Sequence, residues 1–171
     1  MKLYGYWRST AAYRVRIALH LKEIEFQSIP VHLVKDGGEQ HKESYVALNA
    51  SHLVPTLVDE TEGLVLNQSI AILDYLDSKV TQAPLYPEKL TDKVQVQALS
   101  LDIACEIHPV NNLRIQQYLV HKLGVSDNDK LKWSHHWMKT GFSAFEAKLN
   151  ETAGKFCFGV HVSMADLCLI P

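Results

Sequence analysis

The 171-residue chain is long enough for one large domain or two small ones, and its 47% hydrophobic content can supply a core. Its 17 basic and 19 acidic side chains give a formal net charge of −2, so we expect no broad electropositive surface for nucleic acid. The sequence shows neither the apolar core of a secretion signal nor a run of roughly 18 apolar residues. We therefore expect a cytoplasmic protein that binds neither nucleic acid nor membrane.

Residues 1 to about 80 alternate short strands with helices, which is typical of an α/β unit. Lys2–Tyr6 forms the first predicted strand, and Phe26–Leu33 the second. Between them, apolar residues at helical spacing predict a helix with one buried face. Val15, Ala18 and Leu19 define that face. The polar positions of this helix, expected to stay outside the core, are Arg14, Arg16, His20 and Lys22.

The paired glycines of Lys35–Gly38 predict a loop, and a short helix is expected near His41–Leu48. Val54–Val58 and Leu64–Leu66 then resemble two antiparallel strands, and Ser69 opens another helix. The first unit is thus predicted as βαβ, a link, and ββα.

Two prolines in Thr81–Pro87 and the helical patterns that follow indicate a domain boundary. The predicted domains are residues 1–80 and 88–171. The second should contain one helical stretch from about Glu88 to Lys122, kinked at Pro109, and another from about Asp127 to Thr152.

The three cysteines, Cys105, Cys157 and Cys168, form no C-x-x-C pair, so we expect small buried apolar residues. His135 and His136 are adjacent and cannot share a helical face, so both are expected in solvent. No clustered His, Cys and Asp spacing predicts a metal site.

The first candidate site lies at Ser9 and Thr10, between the first strand and the first helix. A ligand thiol reacts only as a thiolate, and at a pKa of about 8.5 it is mostly protonated at neutral pH. Lowering that pKa by roughly 2 requires about 2.7 kcal/mol. A hydrogen bond to the anion, worth about 1.5–3 kcal/mol, and a helix N-terminus, worth up to about 2 kcal/mol, could suffice. The alternative is that a hydroxyl merely caps the helix.

Two further elements could hold an extended ligand. Val54-Pro55 at a strand start can be cis and leaves the Val54 backbone free to pair with a peptide, although proline at this position is common. Ser69 at a helix start could hold a carboxylate and Gln68 could offer an amide, although a plain helix cap is the alternative.

These three elements, in this order, match the binding apparatus for glutathione. The run Tyr6–Leu19, with Arg8-Ser9-Thr10 and Arg14-Val15-Arg16-Ile17-Ala18-Leu19, resembles the signature of the zeta-class glutathione transferases. The likeness continues through Lys35–Gly38, Val54–Leu57, Asn67–Ile72, His108–Arg114 and Ser163–Cys168. The segment around His108-Pro109 is similar to bacterial maleylacetoacetate and maleylpyruvate isomerases.

The resemblance implies a thioredoxin-like first domain, an all-helical second domain and glutathione as cofactor. It implies that Ser9, with Thr10 beside it, activates the glutathione thiol. Gln68 and Ser69 would hold the γ-glutamyl end, and Val54 would pair with the cysteinyl backbone. Gln40, His108 and Asn112 are expected as further glutathione contacts; the last two also lie four apart, on one face of a helix.

Three positions depart from the family pattern: Thr10 replaces its second serine and keeps the hydroxyl, Ala11 replaces its cysteine, and Asn49-Ala50 replaces Asn-Pro. Chemistry that depends on the cysteine is therefore not expected, whereas activation by Ser9 is retained. Relatives continue beyond the point that matches Pro171, so we expect the chain to lack the elements that cover its last helix.

Arg8 flanks the predicted thiolate and could bind a substrate carboxylate through two parallel donors, with a surface ion pair as the alternative. The expected reaction is cis–trans isomerisation of maleylacetoacetate, a dicarboxylate, by a homodimer. Maleylpyruvate isomerisation, general glutathione transfer and noncatalytic glutathione binding remain alternatives. Ser163-x-x-Asp166 has capping-box spacing and is interpreted as structural.

Overall fold

The computed structural model describes all 171 residues, Met1–Pro171. They divide into two compact units, Met1–Leu85 with Ile170–Pro171, and Tyr86–Leu169. None of the helices is both long enough and apolar enough to span a membrane.

The first unit contains a four-stranded mixed sheet with helices, which is the predicted thioredoxin-like fold. The strands are β1 (Lys2–Gly5), β2 (Gln27–Pro30), β3 (Thr56–Asp59) and β4 (Leu64–Asn67). Their order is β2-β1-β3-β4, with β1 parallel to β2 and the other two pairs antiparallel. The helices are α1 (Thr10–Leu21), α2 (Glu43–Val46) and α3 (Ser69–Lys79), with single 3-10 turns at Lys35–Gly37 and Glu39–His41.

Prolines shorten two of the predicted strands. β2 ends at Pro30, three residues before the predicted end, and β3 begins one residue after Pro55. Proline has no N–H to donate to a strand ladder, so it is found where pairing starts or stops.

The core of the first unit lies between the sheet and two helices that pack on each other. The predicted face of α1 is fully buried, and α3 contributes Ile72, Leu73 and Leu76. The expectation that Arg14 and Lys22 stay outside the core is wrong, because they are only 3% and 2% exposed. The Lys22 ammonium pairs with Asp77 at 2.7 Å and donates to the carbonyls of Val80, Gln82 and Ala83.

The second unit is helical, as predicted. Its helices are α4 (Leu90–Leu101), α5 (His108–Val110), α6 (Leu113–His121), α7 (Asp127–Thr152) and α8 (Met164–Leu169), with a π-helical segment at Asp102–Ile107. The bounds of α7 agree with the prediction. The stretch 88–122 is instead interrupted twice, by the π-helical segment and by Asn111-Asn112 between α5 and α6.

The cysteines are all free thiols, but only two fit their predicted role. Cys157 and Cys168 are buried, whereas Cys105 is exposed on the π-helical segment, so that prediction was wrong for Cys105. Burial raises the pKa of the Cys157 thiol to about 12, which keeps it protonated. His135 and His136 are exposed, as expected.

Ser163 and Asp166 form the structural contact that their spacing indicates. The Asp166 carboxylate accepts from the Ser163 amide and hydroxyl, both at 2.8 Å, and from the Cys157 amide at 2.9 Å. The interaction fixes the start of α8, whose side chains Met164, Ala165, Leu167 and Cys168 are buried.

Candidate active site

Three chain segments adjoin the sheet at the same end of its strands. Tyr4 of β1 pairs with Thr56 of β3, which pairs with Asn67 of β4, so the three residues form one row. β1 ends just past this row, β3 begins in it and β4 ends in it. The segments beyond it contain three of the predicted site residues: Ser9, Val54 and Ser69.

Ser9 is the N-cap of α1, and Thr10 is the first helical residue. The Ser9 hydroxyl accepts from the Ala12 amide at 3.1 Å, so Ser9 does cap the helix, as the alternative interpretation predicted. A hydroxyl that accepts one hydrogen bond keeps its own proton to donate. Ala11 lies in the first turn, where helical amides have no intrahelical acceptor. Capping and stabilisation of an anion are therefore compatible at Ser9.

Arg8 is exposed, and its guanidinium lies over the ring of Trp7, 5.6 Å from the ring centre. The surface ion pair considered as the alternative is not formed. Trp7 itself is 74% exposed, which is unusual for so large an apolar side chain. Because Arg8 forms no ion pair, its guanidinium donors remain available to an anionic ligand.

The Val54–Pro55 peptide bond is cis. The carbonyl of the preceding Leu53 accepts from the Tyr45 hydroxyl at 2.6 Å and from the Asn49 amide at 2.9 Å. Neither the N–H nor the C=O of Val54 pairs with the rest of the chain. The loop is thus fixed from behind by two side chains while the Val54 backbone remains available to an extended ligand.

Gln68 and Ser69 differ from a plain helix cap. The cap position is occupied by Gln68, which makes no side-chain cap bond, and Ser69 is the first residue of α3. Gln68 has φ 68°, a left-handed conformation that non-glycine residues adopt at a cost of about 1–3 kcal/mol. The Ser69 hydroxyl is buried and accepts from the Arg14 guanidinium at 3.3 Å, so its proton can be donated elsewhere.

Gln40 is 8% exposed, and its side chain lies over the backbone of Gly38. A Cβ atom at Gly38 would lie 2.5 Å from Gln40 Nε2, so a side chain there would displace the Gln40 amide, and the φ of 101° also favours glycine. Gln40 Nε2 donates to the Leu33 carbonyl at 3.2 Å and lies 3.1 Å from His41 Nε2. Gln40 Oε1 is buried and has no partner in the protein, a state that costs about 1–3 kcal/mol without a ligand.

His108 and Asn112 lie together in the second unit. Asn112 Nδ2 is 3.3 Å from His108 Nε2, which agrees with the four-residue spacing, although a break between α5 and α6 separates the two. The Asn112 side-chain oxygen accepts from the Arg114 amide and caps α6. This structural role was not predicted, although asparagine is a favoured N-cap residue.

Several residues around these segments were missed by the sequence interpretation. They either position a predicted residue or contact it: Arg14, Tyr45, Asn49 and His41. Tyr45 and Asn49 act on a carbonyl eight and four residues away, and no residue pattern marks such a contact.

Comparison with known proteins shows which family the chain is similar to. Residues 8–79 match the family model of the glutathione S-transferase N-terminal domain. A maleylpyruvate isomerase described as a bacterial zeta-class glutathione S-transferase superposes with a TM-score of 0.93 at 38% identity, covering 100% of this chain and 80% of that one. A probable maleylacetoacetate isomerase from Vibrio cholerae is 53% identical over 99% of this chain and 78% of its own length.

The chain belongs to the zeta-class glutathione S-transferases. A second family structure, a maleylacetoacetate isomerase from Methylobacterium extorquens AM1 with malonate and glutathione bound, is 41% identical. It superposes with a TM-score of 0.93 over 99% of this chain and 79% of that one. The predicted family and fold are therefore confirmed, and the shared architecture extends over both units.

Proposed function

We propose that this zeta-class chain is a glutathione-dependent isomerase that converts maleylacetoacetate to fumarylacetoacetate. The observation that supports it most is the geometry of Ser9, which caps α1 and can still donate its proton to a thiolate. The 53% identity to a probable maleylacetoacetate isomerase supports the choice of substrate.

The proposed chemistry is addition, rotation and elimination. The glutathione thiolate adds to one carbon of the cis double bond, and the π electrons move into an enolate. The carbon–carbon bond is then single and can rotate. Collapse of the enolate restores the double bond as trans and expels the thiolate, so glutathione is regenerated. Groups that stabilise the enolate and the carboxylates lower the barrier.

We assign the residue roles as follows. Ser9, with Thr10 beside it and the amides of the first turn of α1, stabilises the thiolate. Arg8 binds a substrate carboxylate, since its guanidinium is exposed and free of an ion pair. Val54 pairs with the cysteinyl backbone. The remaining proposed glutathione contacts are Gln40, Gln68, Ser69, His108 and Asn112.

At the level of the whole chain, we propose that residues 1–80 bind glutathione and that residues 88–171 contribute the substrate site. We further propose that the protein works as a cytoplasmic homodimer in tyrosine and phenylalanine catabolism, with no nucleic-acid or membrane partner.

Maleylpyruvate is the second candidate substrate, because a maleylpyruvate isomerase superposes with a TM-score of 0.93. The two substrates share the cis double bond and carboxylate that the proposed chemistry needs. Noncatalytic glutathione binding is the candidate of another class, and the availability of the Ser9 proton argues against it.

The test is an isomerisation assay with each substrate, with and without glutathione. We expect formation of fumarylacetoacetate only when glutathione is present, with the glutathione recovered unchanged at the end. Faster turnover of maleylpyruvate would assign the second substrate. A folded sample that binds glutathione but isomerises neither substrate would refute the proposal in favour of noncatalytic binding.

A further inference from the structure

His41 and His52 form a pair beside Gln40. Their Nδ1 atoms are 3.0 Å apart and their ring centres 5.1 Å apart. On its other side, His41 Nε2 lies 3.1 Å from Gln40 Nε2. The three side chains therefore form one chain of contacts that ends at a proposed glutathione residue.

The Gln40 end of this row of three side chains determines where its protons lie. Gln40 Nε2 faces the Leu33 carbonyl, which can only accept, so this atom is the amide nitrogen. Its second proton points to His41 Nε2, which must then be unprotonated. A neutral His41 carries its proton on Nδ1 and donates it to His52 Nδ1.

This arrangement determines which atom Gln40 has left for a ligand. Both amide protons are engaged, one by Leu33 and one by His41, whereas Gln40 Oε1 is buried and has no partner in the protein. Gln40 therefore presents an acceptor, which suits an N–H group of a peptide ligand.

We propose that the His41–His52 pair is a positioning device that holds Gln40 with its oxygen toward glutathione, and that protonation of the pair weakens glutathione binding. The proposal rests on the proposed function, in which Gln40 contacts glutathione. A proton on His41 Nε2 or on His52 Nδ1 places two donors face to face, so the hydrogen bond at that point is lost. The Gln40 amide then loses one of the two contacts that set its orientation and keeps only its bond to the Leu33 carbonyl.

The surrounding charged groups do not supply the same response. Glu39 accepts from the His32 amide at 2.8 Å and from Lys42 at 3.0 Å, and these bonds lower its pKa, so it stays ionised. The other charged residues of the adjoining segments are Lys35, Lys42 and Glu43. His32, whose Nδ1 accepts from the amides of Val34 and Lys35, is the other histidine of this region. The test therefore includes His32.

The test measures binding of S-methylglutathione, whose thioether cannot ionise, at pH 7.5 and pH 5.5. We expect the dissociation constant of the wild type to rise by about three- to tenfold at the lower pH, the loss of one hydrogen bond. The comparison is made in an H108Q background, because His108 is itself a proposed glutathione contact. There H41Q, which offers an acceptor that does not titrate, should bind equally at both pH values. H32Q and H135Q should respond to pH like the wild type, since neither residue belongs to the hydrogen-bonded row of Gln40, His41 and His52.

His52→Gly provides an independent readout. Glycine keeps the left-handed backbone of this position, φ 57°, and removes the acceptor of the His41 Nδ1 proton. His41 can then carry its proton on Nε2, so binding at pH 7.5 should weaken to the wild-type value at pH 5.5. Nitrogen NMR shifts should show the Nδ1-protonated form of His41 in the wild type and its loss in H52G.

Two results would overturn the inference: a fall in affinity that persists in H41Q, or a wild type whose affinity does not change with pH. A wild type that binds no S-methylglutathione at pH 7.5, yet shows the Nδ1-protonated His41, would instead refute the proposed function.

Discussion

The Ser9 hydroxyl accepts the Ala12 amide proton at 3.1 Å, and Ser69 likewise accepts from Arg14 at 3.3 Å. In both cases an N–H group of the protein donates to the hydroxyl oxygen, so the hydroxyl proton remains available for another acceptor. Each of these two serines therefore keeps a proton to donate, and the acceptors that we propose are the glutathione thiolate at Ser9 and a carboxylate at Ser69.

At the same scale, Arg8→Ala tests the proposed carboxylate contact. The change should raise the KM for the dicarboxylate roughly tenfold and leave the KM for glutathione nearly unchanged, because a charge-assisted hydrogen bond is lost. Lys155→Ala is the matched control, since Lys155 is also an exposed cation beside an aromatic ring, 5.5 Å from the ring centre of Phe156. Equal KM values in wild type and Arg8→Ala would remove Arg8 from the site.

Individual residues were predictable where the signal was local. A serine before a helix and a proline at a strand start can be recognised from neighbouring residues. The burial of Arg14 could not, because its partner Ser69 lies 55 positions away. Lys22 is similar, since its carbonyl acceptors lie at least 58 positions away. Helical periodicity assigns polar residues to solvent and cannot detect such distant partners.

At the scale of the elements, the loop before β3 is fixed by side-chain hydrogen bonds and not by pairing with another strand. Asn49 is 2% exposed and donates to the Leu53 carbonyl and to the Thr56 hydroxyl. Asn49→Ala should therefore lower the free energy of unfolding by about 1–3 kcal/mol and weaken glutathione binding through Val54. Denaturant titration and calorimetric binding measure the two effects. Unchanged affinity in a destabilised variant would mean that the loop does not position Val54 for the ligand.

The contact between β3 and α3 predicts a response to acid. Hydrogen bonds from Thr61, Tyr75 and Lys79 hold the pKa of Asp59 well below its usual range. Asp59 is more acidic in the folded state, so its stabilisation is complete above the unfolded pKa of about 3.9 and is lost as the pH falls further.

Asp59→Asn should therefore be less stable than the wild type at pH 7, and the difference should shrink below pH 4. Melting temperatures measured across that range provide the test. Asp36→Asn, in an exposed loop, is the control and should follow the wild type throughout. A constant difference down to the lowest pH would show that Asp59 does not stabilise the fold through its charge.

The elements themselves were predicted where one period continues without interruption. α7 maintains its helical pattern over 26 residues and was predicted with the bounds it has. The π-helical segment 102–107 was not predicted, because a π segment differs from an α-helix in hydrogen bonding and not in residue type. The strand order β2-β1-β3-β4 likewise depends on pairings between distant segments.

For the whole molecule, the first unit contains the predicted glutathione elements and the second the His108–Asn112 contact. The order of the elements was enough to predict the fold class, since strands and helices alternate only in the first half. The roles of the individual site residues remain predictions.

The proposed homodimer is a prediction at this scale. Sedimentation equilibrium of the chain, whose mass is 19.3 kDa, should give twice that value at micromolar concentration. A mass that stays at the monomer value as the concentration is raised would contradict the proposed assembly.

The most direct measurement for the central claim is a pH titration of glutathione bound to the protein, followed by the ultraviolet absorbance of the thiolate. The wild type should lower the pKa of the bound thiol by roughly 2 below its free value of about 8.5, and Ser9→Ala should return it most of the way. Ser163→Ala, which also removes a serine before a helix and should cost about 1 kcal/mol of stability, should leave that pKa unchanged. An unshifted pKa in the wild type, or the same shift in Ser9→Ala, would contradict the account.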